Sequence, residues 1–141
     1  MYLSENFTFK EFERSETANR LGIDNTIKHE LVRNNIKELV YHILEPLRDE
    51  LFEPIYINSG YRCMELNNAL KATPTSQHVM GQAADIRVRG YTPYEIAKTI
   101  IALGLPFDQL GLYDHFVHIS ISPKQRGQIF YDKTYKGLKL D

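Results

Sequence analysis

Ser76-Gln77-His78-Val79-Met80-Gly81-Gln82-Ala83-Ala84-Asp85 sets an imidazole and a carboxylate on either side of a glycine turn. A second histidine, His118, lies downstream in Phe116-Val117-His118-Ile119-Ser120. Two histidines and one aspartate make a three-ligand set for zinc that leaves a fourth position to water, the arrangement of catalytic rather than structural sites. Seven residues separate His78 from Asp85. That interval returns to nearly the same face of a helix and to opposite faces of a strand, but Gly81 interrupts both. The spacing predicts His78 in a loop and Asp85 at the start of a strand, with the turn at Gly81 folding one toward the other. A carboxylate among alanines and Ile86 needs a cationic partner to be buried. A metal supplies one; Arg62 or Arg87 is the alternative. His118 alternates with Phe116 and Ser120 on a predicted strand, where its ordinary role is a neutral histidine hydrogen-bonded at a sheet surface. Spacing alone leaves both readings open.

The elements that must position these groups follow from periodicity and punctuation. Thr8 to Arg14 predicts a short helix capped by Thr8, and Arg20 to Asn25 a loop. From Ile27, Leu31, Val32, Ile36, Leu39, Val40, Ile43, Leu44 and Leu47 recur three and four apart, the mark of a core helix ending or kinking near Pro46. Pro54 to Asn58 reads as a strand stopped by Ser59-Gly60, and Met64 to Leu70 as a short helix. A loop follows at Thr73 to Ser76, then a strand from Ala83 to Val88. Thr92-Pro93 opens a second long helix running to Leu103 and closed by Gly104. Gln109 to Leu112 and Phe116 to Ile121 are β runs, with a hairpin-like tail expected after Gly127. This order predicts an α+β domain spanning 1–141, with helices packed on one face of a small, mostly antiparallel sheet.

Composition narrows the function classes. The 141 residues carry a formal net charge of -1, which argues against nucleic-acid binding, since that needs a cationic face to displace counterions. Only Lys124 to Asp141 leans basic, and it reads as a solvated tail with edge-strand lysines that discourage aggregation. The single cysteine, Cys63, excludes an internal disulfide framework and a Cys-rich zinc knuckle; it reads as a small buried side chain. No apolar run approaches membrane-spanning length. Met1 to Asn6 lacks a basic stretch followed by an apolar one, so the expectation is a chain cytoplasmic as synthesised; a monomer is expected separately. His29 and His42 fall on or beside the core helix and read as surface residues.

Ser76-x-His78-x-x-Gly81-x-Ala83-x-Asp85, followed by His118 in a Val-His-Ile-Ser strand, resembles the zinc D-Ala-D-Ala carboxypeptidase family of metallopeptidases. The likeness is to its small branch, which includes phage endolysin-like wall peptidases. Ser59-Gly60-Tyr61-Arg62 resembles the segment before the first ligand. Asn6-Phe7-Thr8-Phe9-Lys10-Glu11-Phe12 and Phe107-Asp108-Gln109-Leu110 also resemble members, so the likeness covers nearly the whole chain. It implies a Hedgehog/D-Ala-D-Ala peptidase-like α+β fold and one zinc ion on His78, Asp85 and His118. It further implies hydrolysis of peptidoglycan stem peptides, by a D-Ala-D-Ala carboxypeptidase or a stem-peptide endopeptidase, in wall recycling, antibiotic resistance or phage lysis. Release through a phage lysis system is one implied route to the wall. The resemblance assigns Arg62 to anchoring a substrate carboxylate, which a guanidinium holds bidentately; an ion pair with Asp85 or Glu65 is the alternative. Ser76 and Gln77 shape the loop or touch substrate.

One position departs from the pattern. Many relatives carry a glutamate three residues before the last histidine; here that position is His115, preceded by Asp114. On a straight strand Asp114 would share a face with His118 but lie roughly 13 Å away at about 3.3 Å per residue, and His115 would point to the other face. If the pair is instead a hairpin tip, either side chain can lean over the metal, and both tolerate left-handed conformations. His115 is then the expected base or transition-state donor, oriented by Asp114; an ordinary surface turn is the alternative. Three readings follow: a zinc peptidase, a catalytically impaired module that binds wall peptides, or a fold merely stabilised by metal or an ion pair.

Overall fold

The computed structural model describes residues 3–140. Met1 and Tyr2 of the leader reading, and Asp141 of the basic tail, lie outside the described residues. Thr8 opens α1 (Phe9–Glu13) with a reciprocal capping box to Glu11. Ser15 accepts a hydrogen bond from the Ala18 amide to start α2 (Glu16–Leu21), and Gly22, at φ 70°, closes it. The expected loop from Arg20 thus begins two residues later. With one buried residue, Ala18, α2 has no apolar period to display; only its caps mark it.

The core helix starts at α3 (Glu30–Leu39), passes through a π-helical segment (Val40–Leu44) and continues as α4 (Glu45–Leu51). Ile27 is buried but belongs to the extended lead-in. The helix does not end at Pro46. A proline has no amide for the preceding turn and its ring crowds that turn's carbonyl. The wider π turn lies directly before it, where such a misfit is absorbed. Ile36, Leu39, Ile43, Leu44 and Leu47 are fully buried along this rod, each worth roughly 1.5–3 kcal/mol. Thr92 caps α6 (Pro93–Ala102), again with a capping box, here to Glu95.

Five strands form one sheet in the order β1-β2-β4-β3-β5: β1 (Ile55–Ser59), β2 (Ala83–Val88), β3 (Gln109–Leu112), β4 (Val117–Ser120) and β5 (Gln128–Tyr131). All neighbours are antiparallel except β3 and β5, which run parallel. The tail is therefore not a hairpin. Residues 113–127 carry the chain through β4 and back, so β5 enters along the free edge of β3 in the same direction. Alternation sorts the sheet into two faces. Ala84, Ile86 and Val88 of β2, Leu110 and Leu112 of β3, and Val117 and Ile119 of β4 join the helices in one hydrophobic cluster. Asp85, Gly111 and His118 take the opposite face, with His118 paired to Asp85 on one side and to Gly111 on the other.

The loop before β2 is clamped against α3. Gly81 sits at φ 74°, and a Cβ there would lie 2.8 Å from the Val32 carbonyl oxygen and 2.9 Å from its Cγ1; the Asn35 amide also donates to the Met80 carbonyl. Gly81→Ala is expected to destabilise the fold by about 2 kcal/mol or more, combining left-handed strain with a backbone clash. Chemical denaturation reads this as a lowered midpoint; an unchanged one would mean the loop is not clamped there.

Candidate metal centre

Three elements bring the ligand candidates together. The turn at 76–81 carries His78, β2 carries Asp85 and β4 carries His118, and one ligand atom from each lies within 4.8 Å of the other two. His118 Nδ1 is 3.0 Å from Asp85 Oδ1, and His78 Nε2 is 3.4 Å from the same oxygen. Tetrahedral zinc with nitrogen and oxygen ligands at its usual bond lengths spaces those atoms roughly 3.3 Å apart. Among the described residues, the group contains three protein ligands and no fourth, and all three line a cleft of about 740 Å³.

The hydrogen bonding around His78 decides what this cluster can hold. Its Nδ1 donates to the Gly60 carbonyl at 2.7 Å, which leaves Nε2 of the neutral ring as a bare lone pair. That lone pair faces a carboxylate oxygen, so two acceptors meet 3.4 Å apart in a buried site. A proton on His118 Nδ1 relieves the other contact but not this one. A second proton on the His78 ring would make this an ion pair; a shared metal cation relieves both contacts with the ring neutral, and a ring anchored through its second nitrogen to a backbone carbonyl is how metal-binding histidines are oriented. Burial alone would raise the Asp85 carboxyl; the imidazoles of His118 and His78 outweigh it and hold the group well below the usual carboxylate range.

The segment Ser59-Gly60-Tyr61-Arg62 serves as the backing plate. Gly60 packs so close to α1 that a Cβ would meet Phe12 at 2.8 Å, and its carbonyl fixes His78. Asn25, buried beneath, donates to the carbonyls of Glu13 and Tyr61 and accepts from the Cys63 amide. Arg62 is itself engaged: Nε donates to Ser59 at 3.2 Å, Nη1 to Asn67 at 3.5 Å, and Nη2 lies 3.7 Å from Asp85 Oδ2. Burial pushes its guanidinium below its ordinary value, partly offset by Asp85. Ser76 Oγ accepts from the His78 amide, and Gln77 Nε2 donates to Asp108 at 2.9 Å. Cys63 is half-buried rather than fully so, with Sγ 3.5 Å from the Leu66 amide at the start of α5 (Met64–Ala69).

Asp114 and His115 form the tip of the β3–β4 hairpin, with Tyr113 N donating to the Phe116 carbonyl beneath them. Their side chains are 45% and 87% exposed, and His115 Nε2 is 3.4 Å from Asp114 Oδ2. They stand at the rim, while the flanking Tyr113 and Phe116 line the cleft. His29 and His42 lie away from it. Residues that sequence reasoning did not single out complete the wall. Tyr113 stacks on Phe116 at 4.4 Å, and Phe130 of β5 lies 6.0 Å from the His118 ring. Phe130 reaches there because Gly111 has no side chain: a Cβ would fall 2.2 Å from its ring. Burial and the nearby Asp85 raise the Tyr113 phenol, so it stays a hydrogen-bond donor.

Comparison with known proteins places these residues in a family frame. The family described as peptidase M15 matches residues 5–121, a span that holds all three ligand candidates. The peptidoglycan L,D-endopeptidase MepK of Escherichia coli (strain K12) is 35% identical over 78 residues, covering 50% of this chain and 42% of that protein. The protein of the same name from Shigella flexneri matches equally. The chain thus aligns with less than half the length of these curated relatives.

If the cluster binds a divalent ion, zinc at about a hundredfold above its Kd should raise the melting temperature by about 5 °C or more. His78→Ala should lose that response, because it removes both a ligand and the Gly60 contact. A shift of equal size in the variant would place the ion elsewhere.

Proposed function

The chain belongs to the peptidase M15 family, and on that premise we propose that it is a zinc-dependent peptidase cutting stem peptides of bacterial peptidoglycan. The observation that carries the reading is the pair of acceptors, His78 Nε2 and Asp85 Oδ1, held face to face in a cleft with His118 alongside. Zinc bound by these three residues would supply an acidified water and polarise the scissile carbonyl.

The protein's own groups supply the rest. Gly60 and the 76–81 turn hold His78 in one tautomer. Arg62 stands against Oδ2 of Asp85, while Oδ1 faces both imidazoles, so His78, Asp85 and His118 would hold the metal between them. Tyr113 offers a protonated hydroxyl in the cleft to a developing negative charge. His115 acts as base or transition-state donor: Asp114 faces Nε2, so Nδ1 is the position free to take a proton. From the rim, the hairpin tip must lean over a bound peptide to serve. An internal bond suits the site better than a terminal one. Arg62, the expected holder of a terminal carboxylate, already has three protein partners, and the relatives are named as endopeptidases.

The competing reading, a module that binds wall peptides without cutting them, draws on the exposure of His115. Metal analysis of the purified protein together with mass spectrometry of digested sacculi separates the two. We expect about one zinc per chain and released fragments from the native protein, and neither from His78→Ala. His115→Ala should keep its zinc and lose roughly 100-fold or more in rate, the usual contribution of a positioned base. Zinc-loaded protein that releases no fragment would favour the binding module; zinc loss in His115→Ala would refute the role given to that residue.

A further inference from the structure

The family match ends at residue 121, yet the chain beyond it returns to the cleft. Residues 122–131 add β5 to the sheet edge and contribute Arg126 and Phe130 to the cleft wall. Arg126 is held with unusual firmness for a residue that is 49% exposed. Its Nε and backbone amide both donate to Asp108 Oδ1, at 3.0 and 2.9 Å, and Nη2 donates to Oδ2 at 2.7 Å. Asp108 is wholly buried at the head of β3. Its amide donates to the Ser120 carbonyl and its own carbonyl accepts from Gln128. Arg126 holds the Asp108 carboxyl far below its ordinary range, so the pair stays ionised.

This fork occupies one edge of the guanidinium. Among the described residues, Nη1 of Arg126 has no hydrogen-bond partner. The Arg126 guanidinium is thus a planar donor whose orientation is already fixed, so it loses little conformational freedom on engaging a ligand. Asp108 neutralises much of its charge, so what remains is directional hydrogen bonding rather than general attraction. The cleft's other arginine, Arg62, faces three protein partners and is turned toward Asp85 of the candidate metal cluster. Asp108 also accepts from Gln77, the neighbour of His78, which ties Arg126 to the ligand-bearing turn through two side chains. A buried carboxylate is costly unless it is paired and hydrogen-bonded; here Arg126 and Gln77 satisfy it, and the pairing fixes a cation in the cleft wall.

We propose that Arg126 is a specificity-determining residue that recognises a free carboxylate on the peptide substrate, in a subsite flanked by Phe130. The inference rests on the peptidase reading for the identity of its ligand. The carboxylate is either the end of the peptide or a side group within it.

The test compares a stem peptide with two analogues, one amidated at its C terminus and one amidated at an in-chain carboxylate. Binding to zinc-loaded protein is measured by titration calorimetry, and turnover by chromatography. One of the two amides should lose roughly 10- to 100-fold in affinity and in kcat/KM, the range expected for one hydrogen bond between charged groups; which one identifies the carboxylate. In Arg126→Lys, which keeps a cation beside Asp108, acid and amide should converge. The double variant Asp108→Asn with Arg126→Gln, which leaves no lone buried charge, should do the same if the single variant melts early. Equal handling of acid and both amides by the native protein overturns the proposal. So does a preference that survives in the variants, or no binding of any peptide. Selective binding without turnover would keep the subsite and refute the peptidase reading instead.

Discussion

One hydrogen bond organises the centre of this molecule. Because His78 gives its Nδ1 proton to the Gly60 carbonyl, the other nitrogen of the neutral ring turns a lone pair toward Asp85, the arrangement a shared cation would satisfy. A neutral ring turned the other way would donate to the carboxylate, and the cluster would then be an ordinary buried polar network. Much of the surrounding architecture keeps that carbonyl where it is. Gly60 lies against Phe12 without room for a side chain, Tyr61 donates its amide to the Phe12 carbonyl, and Arg62 donates its own to the His78 carbonyl. Asn25 ties the helical N-terminal region to the same segment. The first sixty residues, which contribute no candidate ligand, thereby orient the ring of one.

The sheet divides labour by its pleat. Its helix-covered face is aliphatic and supplies stability, while the opposite face places Asp85 and His118 in register on adjacent antiparallel strands. A one-residue slip would send both side chains into the aliphatic face. The aliphatic residues on β2 and β4 therefore hold the register that brings Asp85 and His118 together, although none of them lines the cleft.

Much of this was readable from residue types and spacing. The strand at Ala83–Val88, the loop placement of His78, the helix after Thr92 and the hairpin at Asp114-His115 each had a local signal: alternation, a glycine, a cap, or a β-turn pair between apolar runs. What escaped had little or none. The six-residue α2 buries one alanine. The π turn before Pro46 is signalled only as an end or a kink, because the apolar period through Val40–Leu44 does not tell a wide turn from a regular one. The parallel pairing of β5 depends on where the chain re-enters the sheet, which composition does not record. At the site, the motif exposed the ligand candidates but not the carbonyl that orients one of them, because a backbone oxygen has no letter in the sequence. Arg126 read as part of a solvated basic tail. Its role depends on Asp108, eighteen residues earlier, and on a strand order visible only in three dimensions.

The missing side chain at Gly111 has a wider consequence. It lets an aromatic from the outermost strand lie across its neighbour and reach the ring of His118. The mouth of the cleft is thus furnished by a terminal stretch that contributes no ligand and whose strand pairs with β3 alone. A change of size at that one aromatic would widen or narrow the entrance while His78, Asp85 and His118 stay put, so selectivity can drift at a position apart from the candidate metal ligands.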